Sequence, residues 1–173
     1  QKILIDIGSS TIKVYEYSST LKPVVNRSIP FKDNFDPDKG ISEENKKELY
    51  ELITEIKNKY PQAAIKLYAT ALYRRLSPRT KQEFIDEFFQ KAGLYFNIID
   101  HDLENFYLQV ALVGKYKNAK EPLLLINIGG GSTELAVMFG KEAVENKNIQ
   151  IGVGTILAEF KGINEKISKI TLK

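Results

Sequence analysis

Leu123-Leu-Leu-Ile-Asn-Ile-Gly-Gly-Gly-Ser-Thr-Glu-Leu-Ala-Val-Met138 is the stretch whose reading decides the fold. An apolar run ends in consecutive glycines and two hydroxyl residues, and an alternating run follows at once, which predicts strand, tight turn, strand. A plain hairpin needs one or two glycines, and each glycine costs backbone entropy. Gly129, Gly130 and Gly131 therefore point to something that approaches the main chain closely. Without side chains in the way, successive N–H groups can converge on an anion, with the Ser132 and Thr133 hydroxyls as further donors. A glycine-rich hairpin with no ligand explains the same residues, and this stretch alone leaves both readings open.

A second copy lies near the start. Lys2-Ile-Leu-Ile-Asp-Ile7 is an apolar run, Gly8, Ser9 and Ser10 turn it, and Thr11-Ile-Lys-Val-Tyr-Glu-Tyr17 alternates as a partner strand. Ile5-Asp-Ile-Gly-Ser-Ser-Thr11 and Ile126-Asn-Ile-Gly-Gly-Gly-Ser132 begin alike, about 120 residues apart. The repeat predicts two related lobes gripping one phosphate chain. Asp6 interrupts an apolar strand, where an unpaired carboxylate is costly, so it is a candidate for a metal or phosphate site.

Between the copies, a third strand is expected over Val24 to Phe31, with Pro23 and Pro30 at its ends. Ser42 caps a helix through Tyr60 with the stripe Leu49, Leu52, Ile53, Ile56 and Tyr60, and Pro61 stops it. A fourth strand covers Ala64 to Ala69. Ser77-Pro78 opens a helix burying Phe84, Ile85, Phe88, Phe89 and Ala92, which Gly93 ends. A fifth strand is expected over Tyr95 to Ile99. Asp100 or Asp102 then caps a helix carrying Leu103, Phe106, Tyr107, Val110 and Ala111. After a polar linker from Lys115 to Lys120 the pattern restarts, with strands over 123–128, 133–139 and 142–151 and a helix from Gly154 to Lys161. This order predicts an α/β chain of ribonuclease-H type: a mixed five-stranded sheet flanked by helices over 1–118, and the opening strands of a similar lobe, apparently truncated, over 119–173.

Composition bounds the chemistry. The 173 residues carry a net charge of +3 and no cysteine, so disulfides and thiolate chemistry are excluded and a cytoplasmic setting is expected. With one histidine, multi-histidine metal sites are excluded too, and carboxylates with phosphate oxygens favour magnesium over zinc. His101 is expected in a helix-capping turn with no chemical role. No apolar run is long enough to span a bilayer. Basic residues are interspersed with acidic ones, as along Glu43–Lys59, so neither nucleic acid nor membrane is expected as a partner.

Four segments resemble the exopolyphosphatase/guanosine-pentaphosphate phosphatase (Ppx/GppA) family, of the sugar kinase, Hsp70 and actin superfold. Asp6-Ile-Gly-Ser-Ser-Thr11 is similar to the family's D-x-G-S-N-S, with Ser10 in place of Asn. Ala69-Thr-Ala-Leu-Tyr-Arg74 resembles A-T-x-x-x-R. Ile98-Ile-Asp-His-Asp-Leu-Glu-Asn105 falls at I-I-S-G-x-E-E-A, keeping the second glutamate as Glu104; Asp100-His101 replaces Ser-Gly and Leu103 the first glutamate. Asn127-Ile-Gly-Gly-Gly-Ser-Thr-Glu134 resembles D-I-G-G-G-S-T-E, with Asn127 for Asp.

The resemblance implies an actin-like ATPase fold and a Mg2+-dependent phosphoanhydride hydrolase acting on polyphosphate or on guanosine pentaphosphate or tetraphosphate. It assigns Glu104 as general base and Arg74 as a bidentate phosphate ligand. Gly8, Ser9, Ser10, Thr11 and Gly129, Gly130, Gly131, Ser132, Thr133 would bind phosphate, and Asp6, Asn127 and Glu134 the metal. A homodimer is implied for the full-length protein. Asn127 in place of Asp removes a charge from the metal site and predicts weaker magnesium binding. Asn127 and Leu103 together motivate an alternative, a non-catalytic polyphosphate- or alarmone-binding module. An actin-like or sugar-kinase ATPase is the third reading.

Overall fold

The structure, a computed structural model, describes residues 1–116, 120–140 and 142–160. The expected 115–120 linker and the end of the last helix at Lys161 lie partly outside these residues. By packing, the chain divides into two compact units, Gln1–Asp100 and His101–Lys173. The restart of the strand pattern sets the expected lobe boundary at 118/119; packing groups the helix before it with the second unit.

The first unit runs β1 (Lys2–Ile7), β2 (Thr11–Tyr17), β3 (Leu21–Ser28), α1 (Glu43–Lys59), β4 (Ala64–Ala69), a 3-10 turn (Tyr73–Arg75), α2 (Pro78–Ala92) and β5 (Asn97–Ile98). Its strands form one sheet in the order β3-β2-β1-β4-β5. β1, β2 and β3 pair antiparallel, whereas β4 runs parallel to β1 and to β5. This is the mixed five-stranded sheet of the ribonuclease-H-like, actin-like fold.

Alternation on β1 drives the assembly. Ile3, Ile5 and Ile7 are wholly buried and cluster with Leu49, Leu52, Ile53 and Ile56 of α1 and Phe84 and Phe88 of α2. Each such side chain stabilises by about 1.5–3 kcal/mol. Ser42 Oγ accepts from the Asn45 amide at 3.2 Å to start α1, with Glu43 and Glu44 in its first turn and Lys57 and Lys59 in its last. Gly93 closes α2 in the left-handed region at φ 65°.

Two strands move and one helix stripe narrows. β3 begins at Leu21 and takes Pro23 inside it. An edge strand tolerates the missing N–H, and a bulge opens there: Val14 faces Val25 and Tyr15 faces Pro23, leaving Val24 extra. β5 shrinks to two residues because Phe96 turns into the aromatic core, 4.9 Å from the Tyr73, Phe84 and Phe88 rings. On α2, Phe89 is 39% exposed and stacks on Tyr95 instead of joining the core, and Ile85 is half-buried.

The second unit comprises α3 (His101–Tyr116), β6 (Leu123–Ile128), β7 (Thr133–Phe139), β8 (Glu142–Ile149) and α4 (Val153–Glu159). β6, β7 and β8 form an antiparallel meander. Leu125, Ala136 and Met138 make its small core, with Leu108 of α3 packed on it. The expected stripe on α3 is overturned: Phe106, Tyr107 and Val110 are exposed, and Asn105 is buried. Among the described residues no helix is long and apolar enough to cross a membrane.

Candidate functional site

The two glycine turns close alike. The Gly8 N–H donates to the Thr11 carbonyl at 2.9 Å, and the Gly129 N–H to the Ser132 carbonyl at 2.8 Å. The second turn is also clasped from α4. Val153 N–H donates to the Gly129 carbonyl at 2.9 Å and Gly154 N–H to the Gly130 carbonyl at 2.7 Å. Gly152 makes this approach possible: a Cβ there would overlap the Gly129 oxygen and come within 2.6 Å of Gly130 C and Gly131 N.

The hydroxyls beside the turn are already engaged. Ser132 Oγ donates to Glu134 Oε1 at 2.6 Å and Thr133 Oγ1 to the Ile151 carbonyl at 2.7 Å. Both hydroxyls are thus hydrogen-bonded within the second unit.

Glu134 is the centre of the second unit's polar side. It is fully buried on β7, on the same face as Ala136 and Met138. A carboxylate in that position requires donors. Besides Ser132, Asn127 Nδ2 donates to its Oε2 at 2.9 Å from across the β6–β7 ladder. His101 Nδ1 stands 3.3 Å from Oε1.

α3 presents a polar face to this sheet. Asn105 Nδ2 donates to Asn148 Oδ1 at 2.6 Å, Asn148 being the register partner of Glu134. One turn on, Gln109 Nε2 donates to Asn146 Oδ1 at 2.8 Å. His101, Glu104, Asn105 and Leu108 follow the i, i+3, i+4, i+7 spacing of one helix face.

The sequence-derived candidates thus fall into two groups. In the first unit, Asp6 is exposed on β1 opposite Lys13. Desolvation raises its carboxyl above the ordinary value and the Lys13 charge opposes the rise. Gly8, Ser9 and Ser10 form the turn, and Thr11 begins β2. Arg74 Nη1 donates to the Ile99 carbonyl at 3.0 Å, tying the 3-10 turn to the chain beyond β5. In the second unit, Glu104, Asn127, Gly129, Gly130, Gly131, Ser132, Thr133 and Glu134 are joined by His101, which was expected to have no chemical role, and Asn105, and by Gln150 and Gly152; sequence reading did not single out the last three. Polar residues at helical spacing on α3 were the available signal for His101 and Asn105.

Of the residues expected to hold a metal, Glu134 belongs to a cluster with metal-ligand spacing. His101, Glu104 and Glu134 each offer a ligand atom, all within 4.8 Å of one another. Two carboxylates and an imidazole suit a divalent cation. Asn127 turns its amide N–H toward Glu134 in the position of a would-be ligand. A separate groove of about 590 Å³ lies along α1, lined by Glu43, Lys46, Tyr50, Glu51 and Lys91. Its charges alternate and engage one another, as in Lys46–Glu43 and Lys46–Glu87, so it is a solvated helix face.

Comparison with known proteins agrees with this architecture. An exopolyphosphatase from Cytophaga hutchinsonii superposes with a TM-score of 0.72 at 18% identity, covering 91% of this chain and 53% of that one. The Aquifex aeolicus member of the Ppx/GppA family gives 0.67 at 22% identity, covering 91% and 53%. A PilM-PilN type IV pilus biogenesis complex matches at 0.56 and 14% identity, over 93% of this chain and 64% of that one. At these identities the likeness shows the fold, and the chain spans about half the length of the first two relatives. A search of curated protein sequences gave no significant match. A model of the Ppx/GppA phosphatase family matches residues 25–166, most of the chain, and the chain therefore belongs to that family.

Proposed function

We propose that the chain is part of a phosphoanhydride hydrolase that releases terminal phosphate from inorganic polyphosphate or guanosine pentaphosphate, with Glu104 as general base. The observation that carries this reading is the gathering of Glu104 and buried Glu134 within 4.8 Å, on the sheet whose β6–β7 turn is Gly129–Gly131. The main-chain N–H groups of Gly130 and Gly131 hold phosphate oxygens, and the turn is pre-organised by its clasp to α4. Glu104 takes a proton from water as the water oxygen attacks the terminal phosphorus in line. The bond from phosphorus to the bridging oxygen breaks, inorganic phosphate leaves, and the shortened chain keeps the bridging oxygen. In the first unit, Arg74 and the Gly8–Thr11 turn are phosphate contacts and Asp6 a cation contact. A bound divalent cation would supply charge neutralisation at the phosphate oxygens, held through Glu134.

Glu104→Gln in the complete protein is expected to lower phosphate release by about 100-fold or more while leaving polyphosphate affinity within a factor of about two. Unchanged turnover in a colorimetric phosphate assay would discard the assignment. A second reading, the non-catalytic polyphosphate- or alarmone-binding module, is favoured by Asn127, whose amide N–H points at Glu134 where a carboxylate would add a metal ligand. Calorimetry showing tight guanosine tetraphosphate or pentaphosphate binding, with no turnover in excess magnesium, would select it.

A further inference from the structure

α3 meets β8 through a ladder of side-chain hydrogen bonds. The side-chain amide of Gln150, one residue past β8, donates to His101 Nε2 at 2.5 Å. The ring tautomer follows from its partners, since Nδ1 faces Glu134 Oε1. Asn105 Nδ2 donates to Asn148 Oδ1 at 2.6 Å, and Gln109 Nε2 to Asn146 Oδ1 at 2.8 Å. The rungs climb the helix at 101, 105 and 109 and run back along the strand at 150, 148 and 146. Four helical residues advance about 6 Å and two antiparallel strand residues about 6.8 Å, so the two repeats stay in step over three rungs.

Apolar packing does not set this register. The core under α3 is Leu125, Ala136 and Met138, and among the described residues Leu108 is the one α3 side chain packed on it. Hydrophobic contact is non-directional, so a single leucine resists sliding only weakly. Hydrogen bonds of fixed length and direction do define a register, as one buried asparagine does between coiled helices. What the register places is Glu104. It precedes Asn105, and its carboxylate lies within 4.8 Å of that of Glu134. A slip of α3 by one rung would carry Glu104 about 6 Å along the sheet.

We propose that the ladder fixes the register of α3 on the second unit's sheet and thereby places Glu104, so that Asn105, Gln109, Asn146 and Asn148 are positioning residues. Their effect on turnover rests on the proposed hydrolysis, whereas the register itself does not. None of the four is assigned a contact with phosphate or with the attacking water. Misplacing a base by about 1 Å can cost on the order of 100-fold in rate. Such a loss falls on kcat and leaves KM nearly unchanged, because binding of the phosphate chain is untouched.

The test is phosphate release from long-chain polyphosphate by the complete protein in magnesium, with amide hydrogen exchange of α3 followed in parallel. Asn148→Ala, on the rung beside Glu104, is expected to lower kcat about tenfold or more with KM within a factor of about two. Asn146→Ala, on the exposed outer rung, should lower it about threefold. Asn105→Ala combined with Asn148→Ala should fall no further than the worse single variant, because both remove one rung. The swap of Gln109→Asn with Asn146→Gln keeps the combined length of its rung and is expected to return kcat to within about twofold of the parent. Each single variant should speed exchange in α3, and the swap should slow it again. Parental kcat in the single variants, or a swap no better than Asn146→Ala, would overturn the proposal. A parent protein that releases no phosphate would remove the hydrolase reading alone. The register is then judged by exchange, and α3 exchange indifferent to Asn148→Ala would overturn it.

Discussion

The meander of β1, β2 and β3 and that of β6, β7 and β8 share one backbone plan and put it to different uses. Both open with a six-residue strand, turn at a glycine whose N–H closes on the carbonyl three residues on, and carry a bulge further along. Aligned on Gly8 and Gly129, Ile3, Ile5 and Ile7 correspond to Leu124, Ile126 and Ile128. The first three are fully buried and the second three are 54–61% exposed. The opposite face reverses: Asp6 is exposed against Lys13, while Asn127 lies beside buried Glu134 under α3. Strand pattern fixes the meander, and the helices packed on it decide which face becomes core.

The largest effect should come from that face. Ile5→Ala is expected to cost about 2–5 kcal/mol, and the equivalent Ile126→Ala no more than about 0.5 kcal/mol, both read by urea unfolding followed by circular dichroism. Comparable losses at the two positions would mean that the Ile126 face is covered after all.

The turns provide the next contrast. Gly152→Ala must displace main chain at Gly129–Gly131 and is expected to cost about 1–3 kcal/mol and to weaken phosphate-chain binding with it. Gly8→Ala places a Cβ 3.2 Å from the Thr11 carbonyl, a contact a slight shift relieves, and should cost less. Melting temperatures of the two variants in the opposite order would break the parallel.

A smaller effect is predicted at Asp6. Its carboxyl is raised by desolvation, against the pull of Lys13. The unfolded chain, at the ordinary value, therefore gives up this proton first as pH rises, and the native state binds more protons in that interval. Stability then falls as pH climbs from the ordinary carboxylate value through the raised one, and the penalty is complete above it. Asp6→Asn should raise the melting temperature slightly at neutral pH and leave it unchanged well below pH 4. A variant less stable than the parent at neutral pH would show that the carboxylate is instead favourably paired.

Much of this was legible from residue order because the signals were local. Ser42, Pro78 and Gly93 each mark a helix end by backbone chemistry, and both glycine turns follow from composition alone. The site was legible only in part. On β7 the alternation offers two faces, and the wholly apolar one, Leu135 and Val137, is not the buried one. The packing of α3 buries Glu134, Ala136 and Met138 instead. α3 itself misled for the same reason: its larger apolar residues face outward, and the inward row His101, Glu104, Asn105 and Leu108 is mostly polar. Hydrophobic periodicity cannot find a helix face held by hydrogen bonds. Gly152 matters because of a contact with residues 129–131, a tertiary fact that local pattern does not carry.

The most direct measurement of the central claim is a tripolyphosphate titration of the isotope-labelled chain, following backbone amide resonances. The account predicts saturable shifts concentrated at Gly129, Gly130 and Gly131, with a matching set at Gly8 to Ser10. Shifts confined to the lysine-rich face of α1, or none at the glycine turns at saturating ligand, would contradict it.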